Sequence, residues 1–136
     1  MTILVVDGQG GRLGRQLVRE ILERFPQHQL LAVGTNSMAT ESMLKAGATR
    51  AATGENAVVV ACRKADVILG PLGIVIADAL LGEVTPAMAK AVGQSDAVRI
   101  LLPSDKCDTL IAGISNAGMS ALTADAMDKL AVLLNQ

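Results

Sequence analysis

The sequence predicts an α/β protein built on one doubly wound, Rossmann-like parallel sheet with helices on both faces, and three features carry that prediction. Short apolar runs alternate with helix-length segments along the chain, the pattern of successive strand–helix–strand units. Each of the first five runs ends in a glycine-rich or polar turn, as strands do at the ligand-binding edge of such a sheet. The stretch from Met1 to Gly14 joins an apolar run directly to Gly8, Gly10, Gly11 and Gly14 and then to a helix. Glycines let a backbone turn sharply and approach a ligand, and a helix N-terminus offers unpaired N–H groups with a partial positive charge. The expected strand order is 3-2-1-4-5-6, with the last strand antiparallel.

Taken in order, Ile3 to Val6 is an unbroken apolar run and reads as a buried parallel strand. The first helix is expected from Arg12 to Phe25, stopped by Pro26. Gly14, Val18, Ile21 and Phe25 share one stripe, and the missing side chain of Gly14 lets helix and strand approach closely. The outer face carries Arg19–Glu23 and Glu20–Arg24 at i,i+4 spacing, a solvated face. Leu30 to Val33 is the second strand. A short helix from Ser37 to Lys45 follows and ends at Gly47, a suitable C-terminal cap. Thr49 to Ala52 reads as the third strand. Ala57 to Lys64 reads as a helix by context, against the strand preference of Val58, Val59 and Val60. Asp66 to Leu69 is the fourth strand. Ile74 to Leu81 and Pro86 to Val92 read as short helices, the second with Thr85 as N-cap and Pro86 at its first position. Val98 to Leu102 is the fifth strand. Thr109 to Ile114 would be the sixth, and Leu122 to Leu134 closes the chain as an amphipathic helix.

Composition narrows the function classes. The 136 residues are expected to form a single domain over 1–136. Such a chain leaves roughly 6,700 Å² exposed out of roughly 20,300 Å² when unfolded, enough burial for a core without disulfides or metals. Hydrophobic residues make up 51% and charged residues 18%, which is apolar for this size and leads us to expect a homo-oligomer, most simply a dimer. The formal net charge is −1, the Lys and Arg residues are scattered, and one Phe is the whole aromatic content, all of which argues against nucleic acid as a partner. Asp7 interrupts any signal-peptide core, and no apolar run reaches the ~20 residues that span a bilayer, so no membrane association and a cytoplasmic location are expected. Cys62 and Cys107 fit no metal or redox spacing and read as reduced thiols, Cys62 in the core. His28, the single histidine, follows Pro26 in a loop and has no acid–base partner, so no metal and no catalytic triad is expected.

The turns after the first five strands are Gly8–Gly11, Gly34–Ser37, Thr53–Asn56, Gly70–Gly73 and Pro103–Lys106. They should share one sheet edge, with a ligand bound where strand order reverses, between strands one and four. The candidate binding residues are Asp7, Gly8, Gln9, Gly10, Gly11, Arg12, Leu13 and Gly14, then Gly34, Thr35 and Asn36, then Gly54, Glu55 and Asn56, then Gly70, Pro71 and Gly73. Gly10, Gly11 and Arg12 are expected to hold a phosphate. Gly8, Gly11 and Gly14 match a Gly-x-x-Gly-x-x-Gly variant of nicotinamide-binding domains. The acid expected about 20 residues later to hold the adenosine ribose is absent. Neutral Thr35 and Asn36 there would admit a 2′-phosphate within reach of Arg12, which favours NADP slightly over NAD. Asp7 would repel a pyrophosphate unless it faces loop N–H groups, a ribose hydroxyl or a magnesium ion, and tying the glycine loop by hydrogen bonds stands level with a functional role. The phosphate loop of ATPases is excluded, because the Lys and Ser/Thr it needs are replaced by Arg15 and Gln16. Glu55 with Asn56, Asp78 with Glu83, and Lys106-Cys107-Asp108 are the candidate reactive groups, although polar residues after strands are more often caps. Lys106 beside Cys107 would lower that thiol's pKa.

The stretches Val6-Asp-Gly-Gln-Gly-Gly11, Leu31-Ala-Val-Gly-Thr-Asn36 through Asn56, Ala65-Asp-Val-Ile-Leu-Gly-Pro-Leu-Gly73 through Pro86, and Ile100-Leu-Leu-Pro103 with Cys107 carry a resemblance. The chain resembles a family of short bacterial proteins classed as a domain of unknown function with a dinucleotide-binding-like fold. The resemblance covers nearly the whole chain and implies a self-contained protein, with no known activity or catalytic residues to transfer. The reading is a stand-alone nucleotide- or dinucleotide-binding domain acting as a small-ligand sensor. The alternative is a small oxidoreductase or other nucleotide-dependent enzyme working in the crevice between strands one and four.

Overall fold

A computed structural model describes residues 1–103, 108–114 and 117–135. The strands are β1 (Thr2–Asp7), β2 (Gln29–Gly34), β3 (Ala51–Thr53), β4 (Val67–Pro71) and β5 (Val98–Leu102). They form one all-parallel sheet in the order β3-β2-β1-β4-β5. Helices α1 (Arg12–Arg24), α2 (Ser37–Lys45), α3 (Glu55–Lys64) and α4 (Pro86–Gln94) connect the strands, and α5 (Met119–Leu134) follows β5. Strand order reverses between β1 and β4, as in the Rossmann-like doubly wound sheet.

Alternation along β1 divides the core in two. Ile3 and Val5 face a cluster with Leu13, Leu17, Val18 and Ile21 of α1, Met43 of α2, and Ala126, Met127 and Leu130 of α5. Leu4 and Val6 face a cluster with Val58, Ala61 and Cys62 of α3 and Met88, Ala89 and Val92 of α4. Every residue from Ile3 to Asp7 is buried, which is why β1 reads as a continuous apolar run rather than an alternating one. The β1–β4 pairing runs from Ile3↔Val67 to Val5↔Leu69. Beyond it a Cβ on Gly70 would lie 2.3 Å from the Val6 carbonyl oxygen, so glycine is required by the close approach of the two backbones.

Two expected elements differ. Ile74 to Leu81 is not a helix: one 3₁₀ turn, Leu72–Val75, is followed by a loop in which Asp78, Leu80 and Leu81 have φ of 68°, 57° and 56°. Left-handed backbone at these three positions is incompatible with a right-handed helix. The loop closes on itself instead, Asp78 N–H donating to the Val84 carbonyl at 2.7 Å and Val84 N–H to the Ala79 carbonyl at 3.1 Å. The sixth, antiparallel strand is also not formed. Residues 108–114 make turns, with Asp108 and Gly113 at φ of 52° and 82°, and Leu110 and Ile114 stay exposed. Two left-handed residues within seven deny that segment an extended run long enough to pair. Smaller shifts lengthen α3 back to Glu55 and α5 back to Met119.

Candidate glycine-loop site

The turn after β1 is held from inside. Asp7, 5% exposed, accepts through Oδ1 from Gly8 N–H at 2.8 Å and through Oδ2 from Gly14 N–H at 2.7 Å. Gly11 N–H donates to the Gly8 carbonyl at 2.9 Å. Gly11 is the N-cap of α1 with φ of 72°, and a Cβ there would meet the α2 backbone at Ala39 at 2.8 Å. A Cβ on Gly14 would meet the Asp7 Cβ at 2.8 Å, so this glycine does bring helix against strand. Ser42 Oγ–H donates to the Gly10 carbonyl at 2.8 Å and fixes the loop's outer side on α2.

Part of the loop is closed by the protein's own side chains. Glu83, from the loop between β4 and α4, reaches over the turn with Oε1 accepting from Gln9 N–H at 2.9 Å, Thr35 Oγ1–H at 2.8 Å and Asn36 Nδ2–H at 2.6 Å. Burial pushes this carboxyl up, but the hydrogen bonds from Gln9, Asn36 and Thr35 outweigh it and hold it below the usual Glu value. A Cβ on Gly8 would strike Thr35 Oγ1 at 2.6 Å and Leu80 Cδ1 at 2.7 Å. The Gly8 flank is therefore filled.

The rest is open. Asp7 to Leu13 line a cleft of about 170 Å³ together with Pro71, Leu80 and Met119. Gly10 faces free space on its side-chain side. Among the described residues, the N–H groups of Gly10, Arg12 and Leu13 have no acceptor, and Arg12 is exposed at the rim. Two of these three belong to the first turn of α1, where the helix offers unpaired donors and positive potential. Of the expected trio Gly10, Gly11 and Arg12, the Gly11 N–H is consumed by the turn, and the acceptor-free donors here are Gly10, Arg12 and Leu13.

The remaining candidates divide. Pro71 lines the cleft, whereas Gly70 and Gly73 are buried in packing. Gly34 is packed against Thr40, where a Cβ would meet Oγ1 at 2.3 Å. Asn36 caps α2, accepting from Ala39 N–H at 2.9 Å, while its amide and Thr35 hold Glu83. Gly54, Glu55 and Asn56 open α3 outside the cleft, and Glu55 Oε1 accepts from Thr85 Oγ1–H at 2.6 Å. Leu80 and Met119 are lining residues that the sequence did not mark, since each is an apolar residue from a segment remote from the loop. Asp78 is exposed in its loop. Lys106 and Cys107 lie outside the described residues, and Asp108 is exposed. Burial pushes the Cys62 thiol up to about 11, which suits a core side chain. His28 lies in the α1–β2 loop, at the opposite edge of the sheet from the cleft.

Residues 2–135 match the family described as a domain of unknown function, DUF3842. The chain belongs to that family. No curated protein matches this DUF3842 chain in sequence. Among solved structures it is similar to a nucleoside-diphosphate-sugar epimerase from Pseudomonas aeruginosa, with 15% identity and a TM-score of 0.46. That alignment covers 94% of this chain and 46% of the epimerase chain, so the chain spans under half of that protein's length. Among the described residues, no helix is long and apolar enough to cross a membrane, and no three His, Cys, Asp or Glu side chains gather as metal ligands would.

Proposed function

We propose that this DUF3842 protein binds a small phosphate-bearing ligand, a nucleotide or a dinucleotide such as NAD or NADP, at the cleft beside the glycine loop. The observation that carries the reading is the convergence of three acceptor-free N–H groups, on Gly10, Arg12 and Leu13, in an open cleft next to the point where strand order reverses. A phosphate oxygen would accept from these donors, with the Arg12 guanidinium at the rim adding charge. Asp7 does not oppose this strongly, because both of its oxygens face N–H groups. The cleft's 170 Å³ is below the roughly 300–1,000 Å³ of sites that enclose a whole drug-sized ligand. It accommodates a phosphoryl group and its immediate neighbour, while the rest of a nucleotide would displace Leu80 or lie along the rim.

A binding module or sensor fits the cleft better than a catalyst. Asp7 is the one titratable acid among its described lining residues, and it is committed to the loop. A thermal-shift screen with NAD, NADP, ATP, AMP and coenzyme A tests the reading. At least one compound is expected to raise the melting temperature in the wild-type protein, with the shift reduced in R12A. A panel that leaves the wild-type melt unmoved contradicts it. Turnover of the bound compound would replace the sensor by an enzyme, whereas binding that changes oligomeric state without turnover would support the sensor.

A further inference from the structure

We infer that Glu83 reads the ligand's adenosine ribose and makes the site select a free 2′-hydroxyl over a 2′-phosphate, that is NAD over NADP. The inference rests on the dinucleotide form of the reading above. In a doubly wound nucleotide-binding sheet the adenosine ribose lies at the end of the second strand, where a carboxylate accepts from its hydroxyls. Here β2 ends in Gly34, Thr35 and Asn36 and brings no acid of its own. The acid arrives through space. Glu83 is 48 residues from Thr35 and 47 from Asn36 in sequence, yet its Oε1 accepts from both side chains and from Gln9 N–H.

One oxygen takes all three hydrogen bonds. Oε2 has no partner among the described residues and can accept a ribose hydroxyl without breaking that set. A phosphate on the same ribose carbon would bring a second anion against an ionised carboxylate, and none of the ion pairs among the described residues supplies Glu83 with a cation. The preference read from the sequence is thereby reversed, since neutral Thr35 and Asn36 left room for a 2′-phosphate only while Glu83 was placed elsewhere.

Leu80 must swing aside for a whole dinucleotide to enter, while Glu83 keeps its three hydrogen bonds. Leu80 and Glu83 fill the Gly8 flank, and three non-glycine residues of their loop hold left-handed backbone angles. Strain of this kind lowers the cost of rearrangement. Glu83 is therefore both an occupant of the empty site and a contact in the filled one, and the charge it carries discriminates in the filled state.

Calorimetric titration of NAD and NADP into the wild-type, E83Q and E83A proteins tests this, with circular dichroism melts to establish that each is folded. The wild type is expected to bind NAD about tenfold or more tightly than NADP, and E83Q, which keeps the shape and loses the charge, to narrow the ratio to about threefold by gaining affinity for NADP. Equal affinities or a preference for NADP in the wild type, or an unchanged ratio in both variants, would overturn the role of Glu83 while dinucleotide binding stands. A uniform gain for both ligands in E83A would reduce Glu83 to a plug and overturn its selectivity. No binding of either ligand to any of the three proteins would overturn the dinucleotide reading and this inference with it.

Discussion

Asp7 and Glu83 place two carboxylates on the backbone donors of one short turn, with different consequences. Asp7 is buried and satisfies Gly8 and Gly14 N–H at once. Replacing it with alanine strands both donors, at a cost of about 2–4 kcal/mol, measurable as a lower midpoint in urea unfolding. Glu83 is partly exposed, so its contribution follows pH more visibly. Its folded-state pKa is lowered, so its stabilisation is complete above the ordinary carboxylate range and is lost as pH falls through the lowered value. The wild-type protein should therefore melt above E83Q at neutral pH, and the gap should shrink as pH falls below the ordinary carboxylate range. A gap that is constant with pH would show that the Glu83 charge is not held by Gln9, Asn36 and Thr35. The tie between Asp7 and the glycine loop was legible in the sequence as one of two even readings, because an acid next to successive glycines has its donors nearby but also stands where a ligand would bind. Glu83 was legible only as a polar residue after a strand. Its partners lie on β2 and the first turn, and no local pattern joins segments that far apart.

At the scale of the elements, the glycines separate into those that pack and those that face a ligand. A Cβ on Gly70 meets backbone, the Val6 carbonyl oxygen at 2.3 Å, so G70A should cost about 2–3 kcal/mol by forcing β1 and β4 apart. Gly10 has open space, so G10A should change stability by no more than about 0.5 kcal/mol, whatever it does to binding. Paired denaturant curves for the two variants check both values, and similar losses would contradict the division. The loop between β4 and α4 gives a third expectation. Leu81 is fully exposed at φ of 56°, so L81N should relieve strain and raise stability by about 0.5 kcal/mol. The inner strands β1, β2 and β4 were readable because both faces of the sheet are covered there and these strands stay apolar. The Ile74–Leu81 loop was not readable. Its apolar spacing imitates a helix, but Ile74 serves the core under β4 while Leu80 turns over the glycine loop, and left-handed residues rather than helical hydrogen bonds connect them.

For the whole molecule, the order β3-β2-β1-β4-β5 puts the turns after the strands on one edge, with the glycine-loop cleft beside the β1–β4 reversal. That arrangement followed from the alternation of strand and helix. The missing sixth strand did not follow, because the apolar Leu110, Ile111 and Ile114 imitate a pairing signal although these side chains are exposed. Met38, Leu81 and Val132 are likewise large apolar groups left facing outward. With 51% hydrophobic residues, such exposure leads us to expect self-association, and sedimentation at micromolar concentration should show a dimer or larger species. A purely monomeric profile would contradict that expectation without touching the ligand site. The central claim concerns the open donors at the start of α1, and amide NMR reads them individually. On titration with AMP and with NAD into the ¹⁵N-labelled protein, the resonances of Gly10, Arg12 and Leu13 should move first and furthest for at least one of the two. If both titrations leave those three amides in place, or shift only residues remote from the glycine loop, the anion site proposed here does not exist.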